Sequence, residues 1–238
     1  MNENAWMRQV GAVNMSDIRE ARVHVVGCGA IGSFTALALA KLGVGHLKLT
    51  DPDVVGIENV GPQLYDEGDI GEPKVIALER RLASFGTIHT NWERGEDSPL
   101  NWPITITALD SLEARRAVFL KWLLSLERRL LIDARMGFET FEMFECLSTD
   151  GASLVSYVGT LRGIGTEEPC SARSIVYCPQ VAGGLLAAEV KRWVGGCACL
   201  RTVVFHIPTV KGMLFETPMQ EDGMKQTELS LMNVGDLA

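Results

Sequence analysis

The stretch RVHVVGCGAIGSFTALALAKLGVGHLKLTDPD, residues 22–53, decides the fold. Val23, Val25 and Val26 form a short apolar run, as a strand buried on both faces would. Gly27-Cys28-Gly29-Ala30-Ile31-Gly32 follows at once. Residues 34–42, rich in Ala and Leu, read as a helix that Gly43 and Gly45 stop. Residues 46–50 read as a second strand, ending on Asp51. Strand, Gly-x-Gly-x-x-Gly, helix, strand, acid is the nucleotide-binding fingerprint in the context it requires. The backbone at Gly27, Gly29, Ala30 and Gly32 is expected to approach phosphate, aided by the amides and positive dipole end of the helix. Asp51 stands where a carboxylate accepts bonds from ribose hydroxyls, with Asp53 two residues on.

Working outward, 238 residues suffice for a full core. No apolar run is long enough to span a bilayer, and MNENAWMRQV does not read as a signal peptide. The net charge of -8, without a basic stretch, makes nucleic acid an unexpected direct partner. Six scattered cysteines (Cys28, Cys146, Cys170, Cys178, Cys197 and Cys199) fit reduced thiols in a cytoplasm.

Residues 6–18 read as a short helix or arm with Ser16-Asp17 as its N-cap, and Arg8 lies in it. Past a polar loop, Lys74 opens an amphipathic helix to about Phe85, with Val75, Ile76, Leu78 and Leu82 as its apolar face. A lysine at a helix start opposes the dipole, so an anion is expected nearby. Residues 87–92 and 104–109 read as strands, 111–126 as a helix, and 130–132 as a buried strand. Three strands are therefore expected to end on acids, Asp51, Asp110 and Asp133, at the edge where ligands of open α/β sheets bind. Asp110 is the expected Mg²⁺ ligand. Residues 139–149 alternate, and 153–160 continue in β-like fashion, which suggests antiparallel strands. Residues 181–194 read as an apolar helix and 203–207 as a last strand. The expected fold is α/β, a Rossmann-like, mainly parallel sheet flanked by helices, with antiparallel strands added in the C-terminal half. One domain is expected over 1–238, with an arm at 1–20, a nucleotide-binding half at 21–137, a carrier-binding half at 138–218 and a polar tail at 219–238.

Asp51-x-Asp53, Asn59, Gln63, Asp69-Ile70-Gly71, Lys74, Leu109-Asp110 with Arg115, and Asp133-Ala134-Arg135-Met136-Gly137 occur in that order. The order resembles the ThiF/MoeB superfamily, in particular its compact bacterial members akin to ubiquitin-activating enzymes, over residues 8–194. The resemblance implies ATP- and Mg²⁺-dependent adenylation of the C-terminal carboxylate of a ubiquitin-like or sulfur-carrier β-grasp protein. It implies that Gly27, Gly29 and Gly32 cradle phosphate, that Asp51 holds the ribose, and that Asn59, Gln63 and Lys74 contact phosphates or adenosine. Asp110 would bind Mg²⁺ or position the reacting phosphate. Arg8 resembles an arginine that reaches the partner subunit's nucleotide, which implies a homodimer.

Two departures stand out. Pro62 precedes Gln63 where the family usually has arginine, so Arg8 or a neighbouring arginine is needed in its place, or turnover is weak. Only Cys197-x-Cys199 stands where some members carry two Cys-x-x-Cys pairs, so zinc is not expected. Pro169-Cys170-Ser171 resembles the surroundings of the thioester cysteine in ubiquitin-like activating enzymes, and a thiolate is a suitable nucleophile for an acyl adenylate. A conjugating-enzyme-like acyl acceptor would then follow. The alternatives are a tRNA-modifying dehydratase of the same superfamily, an NAD(P)-dependent oxidoreductase, and an adaptor that keeps the fold without turnover.

Overall fold

The computed structural model describes residues 3–162, 175–198 and 200–216. Its centre is one eight-stranded sheet. In chain order the strands are β1 (Arg22–Val26), β2 (His46–Thr50), β3 (Thr87–Asn91), β4 (Ile104–Thr107), β5 (Leu130–Gly137), β6 (Thr140–Leu147), β7 (Leu200–His206) and β8 (Lys211–Glu216). Their spatial order is β3-β2-β1-β4-β5-β6-β7-β8. The first five pair in parallel and the last three join as antiparallel neighbours. The chain runs outward from β1 to β3 and then returns to β4 on the other side of β1. That reversal is a topological switch point, and it lies at the end of β1 where the glycines begin.

The helices are α1 (Met15–Glu20), α2 (Ala30–Leu42), α3 (Lys74–Leu82), α4 (Leu112–Leu124), α5 (Gly151–Thr160) and α6 (Tyr177–Val194). Ala36, Leu39, Leu78, Leu82, Leu186 and Val190 of α2, α3 and α6 bury one face of the sheet. Val118, Phe119, Trp122, Tyr157 and Leu161 of α4 and α5 bury the other. The central strands are sealed on both faces, so even their polar members, His24 in β1 and Thr105 and Thr107 in β4, are buried.

Several elements differ from the sequence expectations. Helix α2 starts at Ala30, four residues before Phe34, because Gly32 belongs to its first turn. It ends as expected, on Gly43 in the left-handed conformation, whose amide donates to Leu39 O and Ala40 O. At α1 the N-cap position is Asn14, not Ser16-Asp17. The polar side chains there bond to one another: Asn14 Nδ2 to Asp17 Oδ2 at 2.7 Å, Ser16 Oγ to Asn14 Oδ1 at 2.8 Å. In α3, Ile76 is exposed, and Ala77 is buried beside Val75, Leu78 and Leu82.

Residues 153–160 form α5 rather than a strand. Asp150 caps it by accepting from the Ala152 amide at 2.9 Å. Leu154, Tyr157, Val158 and Leu161 recur at helical spacing and pack on Phe119 and Trp122, while Val155 faces solvent. Asp133 does not end its strand. The parallel pairing of β4 with β5 stops at Thr107–Asp133, but the hairpin with β6 carries β5 on to Gly137. Asp133 is therefore fully buried. Its carboxylate takes Thr107 Oγ1 at 2.7 Å, the Arg115 guanidinium, and Arg135 at 2.8 Å. Strand β8 was not anticipated. The tail from residue 217 and the Cys170 segment lie outside the described residues.

Candidate functional site

Gly27 closes β1 with φ of +94°, and a Cβ there would stand 2.3 Å from Ala108 O. A Cβ on Gly32 would stand 1.8 Å from Gly27 O. These two glycines are demanded by the chain itself, since β1, the first turn of α2 and the segment after β4 meet there. Gly29 is different. A Cβ on it meets nothing within 4 Å. It occupies the N-cap of α2 beside the unshared first-turn amides, so it leaves room for an approaching anion.

Asp51 leaves β2 and turns under this loop. Its Oδ2 accepts from the Cys28 amide at 2.6 Å and its Oδ1 from the Asp53 amide at 2.8 Å. The side chain is buried. Burial pushes the Asp51 carboxyl up, and Lys74 opposes that push. Tyr65, equally buried, donates its hydroxyl to Cys28 O at 2.8 Å and braces the loop from below. The glycine loop is thus held by an acid and a phenol.

Lys74, the first residue of α3, is buried, and its Nζ lies 2.8 Å from Asp53 Oδ2. The anion expected near this helix start is therefore Asp53. Asn59 accepts the Gly56 amide through Oδ1 at 2.9 Å, which folds the loop leading to α3. Gln63 Oε1 is a buried acceptor with no partner among the described residues. Asp110 is exposed just after β4, on the other side of β1. Arg115 sets that loop by donating to Leu109 O while its other arm holds Asp133 and Ala134 O.

The fold thus gathers Gly27, Gly29, Ala30, Gly32, Asp51, Asp53, Asn59, Gln63, Lys74 and Asp110 around one sheet edge. Arg8 is not among them. It is exposed on the 3-10 segment Glu3–Gln9, whose Trp6 and Gln9 side chains donate to Lys41 O at the far end of α2. Thirteen helical residues, roughly 20 Å, separate that anchor from the glycine loop. Arg80 and Arg81 are committed elsewhere. Arg80 holds Asp69 and Glu72, and Arg81 holds Asp66 and Asp69, so neither is free to replace an arginine at Pro62. Burial works to raise the Asp69 carboxyl, but the Asp66 amide and these guanidinia hold it below its usual range.

Among the described residues no group of three or more His, Cys, Asp or Glu side chains could hold a metal ion. Cys28, Cys146 and Cys178 are buried, and burial raises each thiol, Cys146 to about 12. Cys197 is exposed. Cys170 and Cys199 lie outside the described residues. A cavity of about 360 Å³ between the N-terminal arm, α2 and α6 is remote from the glycine loop and lined by Ala38, Lys41, Ala187 and Lys191.

A glycine loop opening a helix at the switch point of a parallel sheet, with an acid closing the next strand, defines a Rossmann-like α/β protein. The chain belongs to the ThiF family, which it matches over residues 1–228. Among its relatives, the tRNA threonylcarbamoyladenosine dehydratase of Bacillus subtilis (strain 168) is 40% identical over 77 residues, 32% of this chain and 30% of that protein. The sulfur carrier protein ThiS adenylyltransferase of the same organism is 38% identical over 81 residues, 33% of this chain and 24% of that protein. Both matches thus span less than a third of the relative's length. The fold is that of E. coli MccB, solved with AMPCPP and MccA, at a TM-score of 0.72 and 17% identity, covering 90% of this chain and 71% of that one. No helix among the described residues is long and apolar enough to cross a membrane.

Proposed function

We propose that this chain uses ATP to adenylate the C-terminal carboxylate of a ubiquitin-like or sulfur-carrier protein. The observation that carries the reading is the placement of Lys74. A buried ammonium beside Asp51 and Asp53, at the edge where the glycine loop opens α2, suits a triphosphate. The adenylyltransferase named among the relatives supports it.

The chemistry needs charge neutralisation more than acid–base work. A carboxylate oxygen attacks the α-phosphorus, the Pα–O bond to the β-phosphate breaks, and pyrophosphate leaves. The nucleophile is already ionised, so no general base is required. Lys74, the amides around Gly29 and Mg²⁺ brought in with ATP would offset the charge of two meeting anions. Asp110 would meet that ion, and Asn59 and Gln63 would line the approach. Gln63 Oε1, buried without a partner, would accept from a nucleotide hydroxyl or amine. Cys170 would then capture the acyl group.

ATP with Mg²⁺ at about a hundred times its Kd is expected to raise the melting temperature by roughly 5–10 °C, and NAD to leave it unchanged. The reverse pattern sinks adenylation and favours an oxidoreductase. Carrier-dependent pyrophosphate exchange completes the test. The Bacillus subtilis dehydratase relative favours a second reading, modification of tRNA. Exchange that answers to tRNA and to no β-grasp protein would establish that reading instead. The net charge of -8 weighs against it.

A homodimer with Arg8 acting across the interface also belongs to the proposal. Arg8 is tethered a helix length from its own glycine loop, so a role for it at a nucleotide calls for the loop of a second subunit. Mixing inactive Arg8→Ala and inactive Asp110→Ala subunits is expected to restore up to about a quarter of the wild-type exchange. In a random mixture half the dimers are mixed, and each of those holds one site with both residues intact. No recovery, with subunit exchange verified, would place Arg8 outside the mechanism.

A further inference from the structure

Trp92 follows β3 directly, at the carboxyl edge of the sheet, and 60% of it is exposed. The other tryptophans are treated differently by the fold: Trp6, Trp102 and Trp122 are buried, and Trp193 packs against the core. The position of Trp92 relative to the candidate site is fixed. Strand β3 lies beside β2 in parallel register, with Thr50 opposite Asn91. The Asp51 amide donates to Asn91 O at 3.3 Å, so the residues that follow each strand are neighbours. Trp92 Nε1 donates to Pro52 O at 2.8 Å, between Asp51 and Asp53. That bond occupies the polar edge of the indole, while most of the residue stays open to solvent.

The loop behind it is tied down as well. Asn91 Nδ2 donates to Ser98 Oγ at 2.7 Å, and Ser98 Oγ meets Thr50 Oγ1 at 3.1 Å. Lys48 Nζ donates to Pro99 O at 2.6 Å. Trp92 is therefore an aromatic plate on a braced support rather than a tip on a free loop.

Strands in a sheet lie about 4.8 Å apart. Phosphate at the end of β1 and ribose at Asp51 on β2 point the next group of the ligand toward β3. We infer that Trp92 is the stacking platform for the purine base of the nucleotide, an inference that rests on the nucleotide reading above. A base has an apolar π-face of the same size as the indole, and a fixed ring keeps the ordering cost of stacking low.

The test compares ATP·Mg²⁺ with inorganic tripolyphosphate·Mg²⁺, which has no base, by calorimetric titration of wild type, Trp92→Phe and Trp92→Ala. Stacking predicts that Trp92→Ala weakens ATP about 5- to 100-fold. Tripolyphosphate binding should be unchanged, and Trp92→Phe, which keeps an aromatic face without the Pro52 hydrogen bond, should stay within about threefold of wild type. Equal loss in Trp92→Phe and Trp92→Ala would reduce Trp92 to a loop anchor and overturn the inference. Equal ATP affinity in wild type and Trp92→Ala would also overturn it, while leaving the nucleotide reading standing. A wild type that binds tripolyphosphate but gains nothing from adenosine would refute the platform. One that binds neither would refute the nucleotide reading beneath it.

Discussion

Alanine at Gly32 is expected to lower the melting temperature by roughly 5–10 °C, whereas leucine at Gly29 is expected to melt within about 4 °C of wild type and to exchange pyrophosphate at least about 100-fold more slowly. The contrast follows from what each added side chain meets. At Gly32 the Cβ would sit 1.8 Å from the Gly27 carbonyl oxygen, so loop and helix must part. Overpacking of this kind costs about 1–3 kcal/mol or more, and each kcal/mol lowers the melting temperature of a chain this size by about 2–4 °C. At Gly29 an added Cβ would meet nothing within 4 Å, and φ is -73°. The fold loses only the preference for glycine over an apolar residue at an N-cap, about 1 kcal/mol. The volume taken is that which a phosphate needs beside the α2 amides, and losing one preorganised donor typically costs a factor of about 100–1000 in rate. Thermal melts and exchange assays on the two variants check this. If both lose stability to the same extent, or if Gly29→Leu exchanges normally, the glycine loop is a structural turn and not a phosphate cradle.

Cys170→Ala is expected to keep ATP–pyrophosphate exchange within about twofold of wild type and to abolish any covalent carrier adduct. In the capture step the sulfur attacks the acyl carbon, a C–S bond forms, the C–O bond to phosphate breaks, and AMP departs. Nothing in the first step needs the thiol. The buried thiols of Cys28, Cys146 and Cys178 are held in their protonated form, so they are poor competitors. A non-reducing gel should show the adduct with wild type, and a thiol reductant should remove it. Cys170→Ser should leave a slower-hydrolysing oxyester. An adduct that persists in Cys170→Ala removes this cysteine from the mechanism. A wild type that accumulates only adenylate would leave transfer to a separate sulfur donor.

The parallel half of the sheet was readable because its signals are local. The short apolar run of Val23, Val25 and Val26 and the β-branched alternation of Ile104–Thr107 need no distant partner to be recognised. Alternation revealed Thr140–Leu147 in the same way. Residues 153–160 misled because Val155 and Val158 favour strands, and their helical spacing only gains meaning once Phe119 and Trp122 lie opposite. Asp133 looked like a strand end because the apolar run stops at Ile132, and the hairpin that extends β5 depends on β6. At the site, Gly27, Asp51 and Lys74 were legible through their order along the chain. Tyr65 and Trp92 were not, since one braces a carbonyl 37 residues away and the other a carbonyl 40 residues away. An aromatic residue directly after a strand of a parallel sheet would have been the signal for Trp92. Arg8 and Cys170 rested on family likeness alone.

The buried carboxylate of Asp133 has one more consequence. Through Arg115 it fixes the carbonyl that precedes Asp110, and through Arg135 it reaches Thr160, the last residue of α5. The same side chain thus works as a fulcrum between the loop that carries Asp110 and the last turn of α5. A mutation at Asp133 is expected to loosen both ends at once, and neither could be remodelled without this joint being rebuilt.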